Sequence, residues 1–313
     1  MSVSSRTRIP REITDYILEE LDVPTLSALT LLSRRDEWRF AARDALFKYV
    51  TTFDELKDES RSVSAFRVFL EPSPDVVRSI QNLTIHGEEW HNVQITSREL
   101  ASLIPQLPEL RNVELKNVWL KLNSHNLDYK EITPQHLHSL TFTYVFFELD
   151  IEGLSTSTAA TPSSHARVQC SFTELFTIFT GLETLELYSA QFIWHSALED
   201  QEGVDLSAIA AAEAAKIPLT SHLKQLLLRT GLPDPYTLFV LQILSCSRIL
   251  HGLQSFNVYH TVPIGEFNGL MGTFGQNLRT LNLTMPWFCI GNHKVCPVKS
   301  RVIALTYLAL FSV

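Results

Sequence analysis

One short pattern recurs eight times from Ile80 onward: an apolar residue, two variable ones, a second apolar residue, one variable, and a third apolar residue. The copies are Ile80-Leu83-Ile85, Leu110-Val113-Leu115, Leu137-Leu140-Phe142, Leu182-Leu185-Leu187, Leu223-Leu226-Leu228, Leu253-Phe256-Val258, Leu278-Leu281-Leu283 and Leu305-Leu308-Leu310. A lone copy carries little, because apolar residues are common. The spacing constrains more: successive copies begin 30, 27, 45, 41, 30, 25 and 27 residues apart. Segments with apolar residues at helical steps fill the gaps, at residues 97–107, 172–179, 235–250 and 264–274. Strand, loop and helix repeated in this way leave each unit an apolar face that only its neighbours can cover.

The expected fold class is therefore α/β. Residues 80–313 should form an irregular leucine-rich-repeat solenoid with a parallel β-sheet on its concave face, since most steps match the length of one such unit. The two long steps carry insertions, near residues 150–170 and 190–220. The first holds the Ser/Thr/Ala-rich run 155–164, expected as a loop. The second joins Glu199, Asp200 and Glu202 to an Ala-rich stretch, 207–217, expected as a helix. A doubly wound α/β sheet is the rival, but it wants longer strands and a Gly-rich phosphate turn that the sequence lacks.

Residues 1–50 read as three short helices. Ile13, Ile17 and Leu21 recur at four-residue steps behind Pro10, Thr25 can cap a second helix, and Asp36 a third. Residues 51–79 are expected to be a helical linker. Fifty residues bury little core alone, so this unit needs a partner or the following domain.

Hydrophobic residues make up 45% of the 313, enough for a large core, and the net charge is -8. Residues 1–50 hold equal numbers of basic and acidic side chains, so the deficit lies in the remainder. No basic stripe is visible along the chain, which argues against nucleic acid as the main partner. No stretch has the length and apolarity to suggest a signal peptide or a membrane span, so no membrane partner is expected. Four cysteines without paired spacing suit a reducing intracellular setting, cytoplasmic or nuclear.

Catalytic and cofactor motifs are missing. There is no G-x-S-x-G, no P-loop and no G-x-G-x-x-G, so no enzyme activity and no cofactor are expected. Cys289, His293 and Cys296 invite a zinc reading, yet a structural site wants four ligands and no fourth is adjacent. His86 and His91 flank Glu88 and Glu89 without zinc-protease spacing. No metal site is assigned.

In each repeat strand the three apolar positions should point inward and those between them outward. The outward list is Thr84 and His86, Glu114 and Lys116, Thr141 and Thr143, Glu186 and Tyr188, Leu227 and Arg229, Asn257 and Tyr259, Asn282 and Thr284, Ala309 and Phe311. His86, Glu114, Lys116, Glu186, Tyr188, Arg229, Asn257, Tyr259 and Asn282 are the candidate target contacts. Tyr and Arg are favoured interface anchors, which singles out Tyr188, Arg229 and Tyr259.

The head also resembles a known motif. Ile9-Pro10-Arg11-Glu12-Ile13, Ile17-Leu18, Leu21, Leu26 through Arg34, Trp38 and Ala45-Leu46-Phe47-Lys48-Tyr49-Val50 resemble an F-box, which docks onto the Skp adaptor of SCF-type ubiquitin ligases. Phe66 to Leu70, Pro72-Ser73-Pro74, Val77-Arg78 and Leu83-Thr84-Ile85 are similar to the usual continuation in fungal F-box proteins, which lead into irregular leucine-rich repeats. The resemblance covers residues 9–85 closely and the remainder through architecture. Two features depart from the family. Trp38 lies five residues after Ser33 instead of close behind it, and the repeats lack the usual closing Asn or Cys, having Val118, Val145 and Ala190 there.

The resemblance implies that Ile9, Pro10, Ile13, Ile17, Leu21, Leu26, Leu29 and Trp38 face the Skp adaptor and the small helical core together. It implies a cullin scaffold as an indirect partner and an unknown protein substrate on the repeats. A repeat scaffold without a ubiquitin role, or an unrecognised hydrolase, are the alternatives. The strand-like ending, residues 305–313, has no polar closing unit and is expected to be truncated, covered by a partner or poorly ordered.

Overall fold

The computed structural model describes residues 9–33, 36–54, 62–87, 93–123, 135–152, 167–194, 206–217, 223–229, 235–259, 272, 277–283 and 303–306. Three helices come first: α1 (Arg11–Glu19), α2 (Val23–Leu32) and α3 (Asp36–Phe47). There follow β1 (Tyr49–Asp54), α4 (Val63–Leu70), α5 (Pro74–Val77), β2 (Asn82–Gly87), β3 (Val93–Thr96) and α6 (Ser97–Leu103). Next are β4 (Asn112–Lys116), β5 (Val118–Lys121), β6 (Gln135–Thr143), β7 (Phe146–Glu152), β8 (Arg167–Cys170) and α7 (Ser171–Phe176). The order continues with β9 (Phe179–Tyr188), β10 (Gln191–Trp194), α8 (Leu206–Ala214), β11 (Gln225–Arg229) and α9 (Pro235–Cys246). It closes with β12 (Ser255–Val258), β13 (Thr280–Leu283) and β14 (Ile303–Thr306).

The protein is a mixed α/β chain built on two sheets. The larger runs β1-β2-β4-β6-β9-β11-β12-β13-β14, in strict chain order, so the doubly wound rival with its reversal point is excluded among the described residues. Every neighbouring pair in it is parallel except the last. The first seven copies of the repeated pattern fall on β2, β4, β6, β9, β11, β12 and β13. Their central apolar residues, Leu83, Val113, Leu140, Leu185, Leu226, Phe256 and Leu281, sit opposite one another in register, all buried.

The eighth copy behaves otherwise. β14 runs antiparallel to β13, with Leu305 opposite Leu281, and Leu308 and Leu310 lie outside the described residues. The expected helical linker, residues 51–79, also needs correction. It opens in β1, where the β-branched Val50, Thr51 and Thr52 pair along β2 from Tyr49–Asn82 onward, and only then come α4 and α5.

A second sheet, β10-β7-β5-β3, was not anticipated. Its strands are parallel, and β8 adds to β7 in antiparallel sense. β5, β7 and β10 each follow a corner at the end of a main-sheet strand. Asn117, Tyr144 and Ser189 take left-handed backbone angles there, with φ of 54°, 55° and 55°. Their N–H groups donate across the stack, Asn117 to Thr143 O at 2.9 Å, Tyr144 to Tyr188 O at 2.8 Å and Ser189 to Arg229 O at 3.0 Å. At the matching corner Gly87 leaves room for the Asn117 carbonyl, which would lie 2.4 Å from a Cβ. Main-chain bonds thus join each corner to the next.

Between the sheets an aromatic seam holds the units together. Phe147 meets Phe142 at 5.1 Å and Phe172 at 5.2 Å, and Phe192 meets Phe239 at 5.4 Å, all edge to face. The expected helices 97–107, 172–179, 207–217 and 235–250 correspond to α6, α7, α8 and α9, each ending earlier than the apolar spacing suggests. The helix-like segment 264–274, apart from residue 272, and the loop 155–164 lie outside the described residues.

The helical head has its own small core of Leu18, Leu26 and Ala42, backed by Leu21, Leu29, Trp38 and Leu46. Its second helix is capped by Asp22, whose carboxylate accepts from Thr25 N at 3.0 Å, rather than by Thr25 itself. The Asp22 side chain sits where the first-turn N–H groups point, and Pro24 fits the first turn. Lys48 joins Glu19 at 2.9 Å within the head, while Arg43 to Asp75 at 3.1 Å and the Ser79 hydroxyl to Asp44 at 2.6 Å tie α3 to α5 and the residues after it.

Because Ser189 occupies a left-handed corner, Ser189→Val should lower stability by ~1–2 kcal/mol, while Ser189→Asn should cost little. Urea denaturation of the two variants beside the parent chain checks this.

Candidate functional site

The face of the main sheet that points away from the second sheet carries three rows of side chains set by the strand register. The middle row is Thr84, Glu114, Thr141, Glu186, Leu227, Asn257 and Asn282. The upper row is His86, Lys116, Thr143, Tyr188 and Arg229, with Tyr259 directly after β12. All nine candidate target contacts thus lie on one face. Thr284, Ala309 and Phe311 fall outside the described residues. A lower row, Asn82, Asn112, Ser139, Thr184, Gln225, Ser255 and Thr280, was missed. Extending the inward–outward alternation one step back in each copy would have found it.

The rows are laced together. Glu114 accepts from Thr84 and from Thr143, each at 3.4 Å, and Asn112 donates to Asn82 Oδ1 at 2.6 Å. At the other end Asn282 donates to Asn257 Oδ1 at 2.6 Å. His86 Nε2 lies 3.3 Å from the Asn117 amide, and burial, then the neighbouring Lys116 charge, hold its pKa below the usual imidazole range.

The most distinctive group is a guanidinium between two rings. Arg229 lies 5.2 Å from the Tyr188 ring centroid and 4.3 Å from that of Tyr259. Tyr188 donates its hydroxyl to Glu186 Oε2 at 3.1 Å. Burial, then the Glu186 charge, push the Tyr188 hydroxyl above its usual pKa. Hydrogen bonding to Tyr259 keeps Arg229 firmly charged. Leu227 and Asn257, although on this face, are buried and form its floor. Stacking removes much of the rotamer freedom that an Arg side chain would lose on binding a partner.

The head divides its candidate residues. Leu26 is buried in the small core, and Leu21, Leu29 and Trp38 pack half-buried against it. Ile9, Pro10, Ile13 and Ile17 are exposed. Further exposed apolar residues, outside the set expected to face the adaptor, include Tyr16, Val23, and above all Leu31 and Leu32, at 80% and 78% exposure. Leu26, Ala28, Leu29, Leu31 and Leu32 spread around α2 and gave no single helical face from which their exposure could be read.

Behind the sheets lies a buried polar cluster that the sequence did not reveal. Glu174 accepts from the Ser97 hydroxyl at 2.5 Å and from Asn123 at 2.9 Å. Glu213, fully buried on α8, accepts from Thr173 at 2.5 Å and pairs with Lys216. Burial raises the pKa of both carboxyls, against the lowering effect of these partners. Burial, then the Glu213 charge, push the Cys170 thiol up to about 12. Such a thiol is unreactive, and these groups pin α7 and α8 in place rather than face any ligand.

Among the described residues no group of His, Cys, Asp and Glu could hold a metal ion, and no helix is long and apolar enough to cross a membrane. Cys289, His293, Cys296 and His91 lie outside the described residues. No family model matches the sequence, and no curated protein matches it.

A carboxyl whose pKa is raised by folding contributes stability that is full below its unfolded value of 4.5 and is lost as pH climbs through the folded value. Glu174→Gln should therefore gain stability over the parent as pH rises above that value, with the gap closing in acid. Urea midpoints measured at several pH values test the direction.

Proposed function

We propose that the chain is a substrate-recognition subunit of an SCF-type ubiquitin ligase. In this reading the head is an F-box that docks on a Skp adaptor, and the stacked units are an irregular leucine-rich-repeat solenoid whose open sheet face binds a target protein. The observation that carries it is the pairing of two unlike surfaces on one frame. A small head exposes Ile9, Ile13, Ile17, Leu31 and Leu32, and a polar sheet face holds Tyr188, Arg229 and Tyr259 ready for contact. The order of head, bridge and repeats along the chain agrees with it. A cullin joined through the adaptor would then bring the ubiquitin-loading enzyme to the bound target. The gain would be proximity alone, with no side chain of this chain in the bond-making steps.

A second reading is favoured by β1, which runs straight on from the head into the main sheet. In it the helices only cap the array, and the protein is a scaffold without a ubiquitin role. Co-purification separates the two. The recognition subunit should bring down a Skp adaptor. Pro10→Ala with Ile13→Asp should abolish that association, as should Leu31→Asp, with circular dichroism unchanged. An adaptor that never co-purifies, or that these variants still bind, overturns the ligase reading.

A further inference from the structure

The strand register assembles a charged column that the linear sequence conceals. One residue on each parallel strand or at its start comes just before the lower row, at the same level: Lys48, Gln81, Arg111, His138 within β6, Glu183 within β9, Lys224, Gln254 and Arg279. Main-chain bonds fix the level, with Arg111 N donating to Gln81 O, His138 N to Arg111 O and Lys224 N to Glu183 O, each at 2.8 Å. Gln254 N to Lys224 O and Arg279 N to Gln254 O, again at 2.8 Å, continue it. Side chains on neighbouring rungs touch, since Glu183 holds His138 at 3.1 Å and Lys224 at 2.7 Å. Four fixed cations therefore face one carboxylate on a chain whose net charge is -8.

Two of the four are committed, Lys48 to Glu19 and Lys224 to Glu183. Arg111 and Arg279 are exposed and make no side-chain hydrogen bond or ion pair among the described residues. They stand five strand intervals apart, about 24 Å at ~4.8 Å per interval, a span that an extended peptide covers in roughly seven residues. We infer that this rim binds an acidic, extended polypeptide segment, running across the sheet edge with its carboxylates toward Arg111 and Arg279. A nucleic acid fits less well. The column offers no Tyr, Phe or Trp ring for base stacking. The inference rests on the register and stands apart from the adaptor reading.

The test uses the full chain and a fluorescent peptide of about eight residues alternating Glu and Ser. Binding should weaken with added salt and fall on the order of tenfold in Arg111→Glu/Arg279→Glu, and less in Arg111→Gln/Arg279→Gln. The same peptide with Gln for Glu should not bind. The inference is overturned if the acidic peptide fails to bind or if charge reversal leaves binding intact. It is equally overturned if a short single-stranded RNA binds as tightly and loses as much. Both arginines are exposed, so circular dichroism of the variants should match the parent.

Discussion

The N–H groups of Asn117, Tyr144 and Ser189 each reach the carbonyl of the next turn at the point where the chain leaves one sheet for the other. The corner is possible only because these residues accept a left-handed backbone, which costs an ordinary side chain about 1–2 kcal/mol. Three such corners in line fix the distance between the two sheets and the level at which each turn begins. The aromatic seam of Phe142, Phe147, Phe172 and Phe192 fills the space that results. Without the corners there would be one sheet with an uncovered apolar side.

The main sheet was legible because its inward residues repeat in one frame, and Leu83, Val113, Leu140 and Leu185 are stacked as their spacing implies. The second sheet was not. Its strands β3, β5 and β10 have four residues each, too short to establish an alternation, and left-handed corners at Tyr144 and Ser189 carry no glycine to announce them. β1 was hidden because Ala45 to Val50 read as the end of a helical motif. The candidate contacts on the open face were found by alternation alone. Their partners were not, since Arg229 reaches Tyr188 and Tyr259 only once strands distant in sequence become neighbours.

Burial divides the head's residues. Helical spacing marks Ile13, Ile17 and Leu21 as one face but does not say which side that face turns to. The structure gives Leu26 to the small core and leaves Leu31 and Leu32 outside it. The buried carboxylates Glu174 and Glu213 were equally invisible, because their neighbours Ser97, Asn123 and Thr173 come from other units. Polar residues buried between units specify which unit sits beside which, at a cost in desolvation that the hydrogen bonds only partly offset.

Strict strand order has a consequence for how the molecule is made. Each main-sheet strand through β13 pairs with the parallel strand synthesised just before it, so a growing chain always finds its template already in place. Assembly can then advance from the amino end at the pace of translation, with little waiting for distant segments. β14 also pairs with the strand before it, but in the antiparallel sense, so the run of parallel templates among the described strands ends at β13.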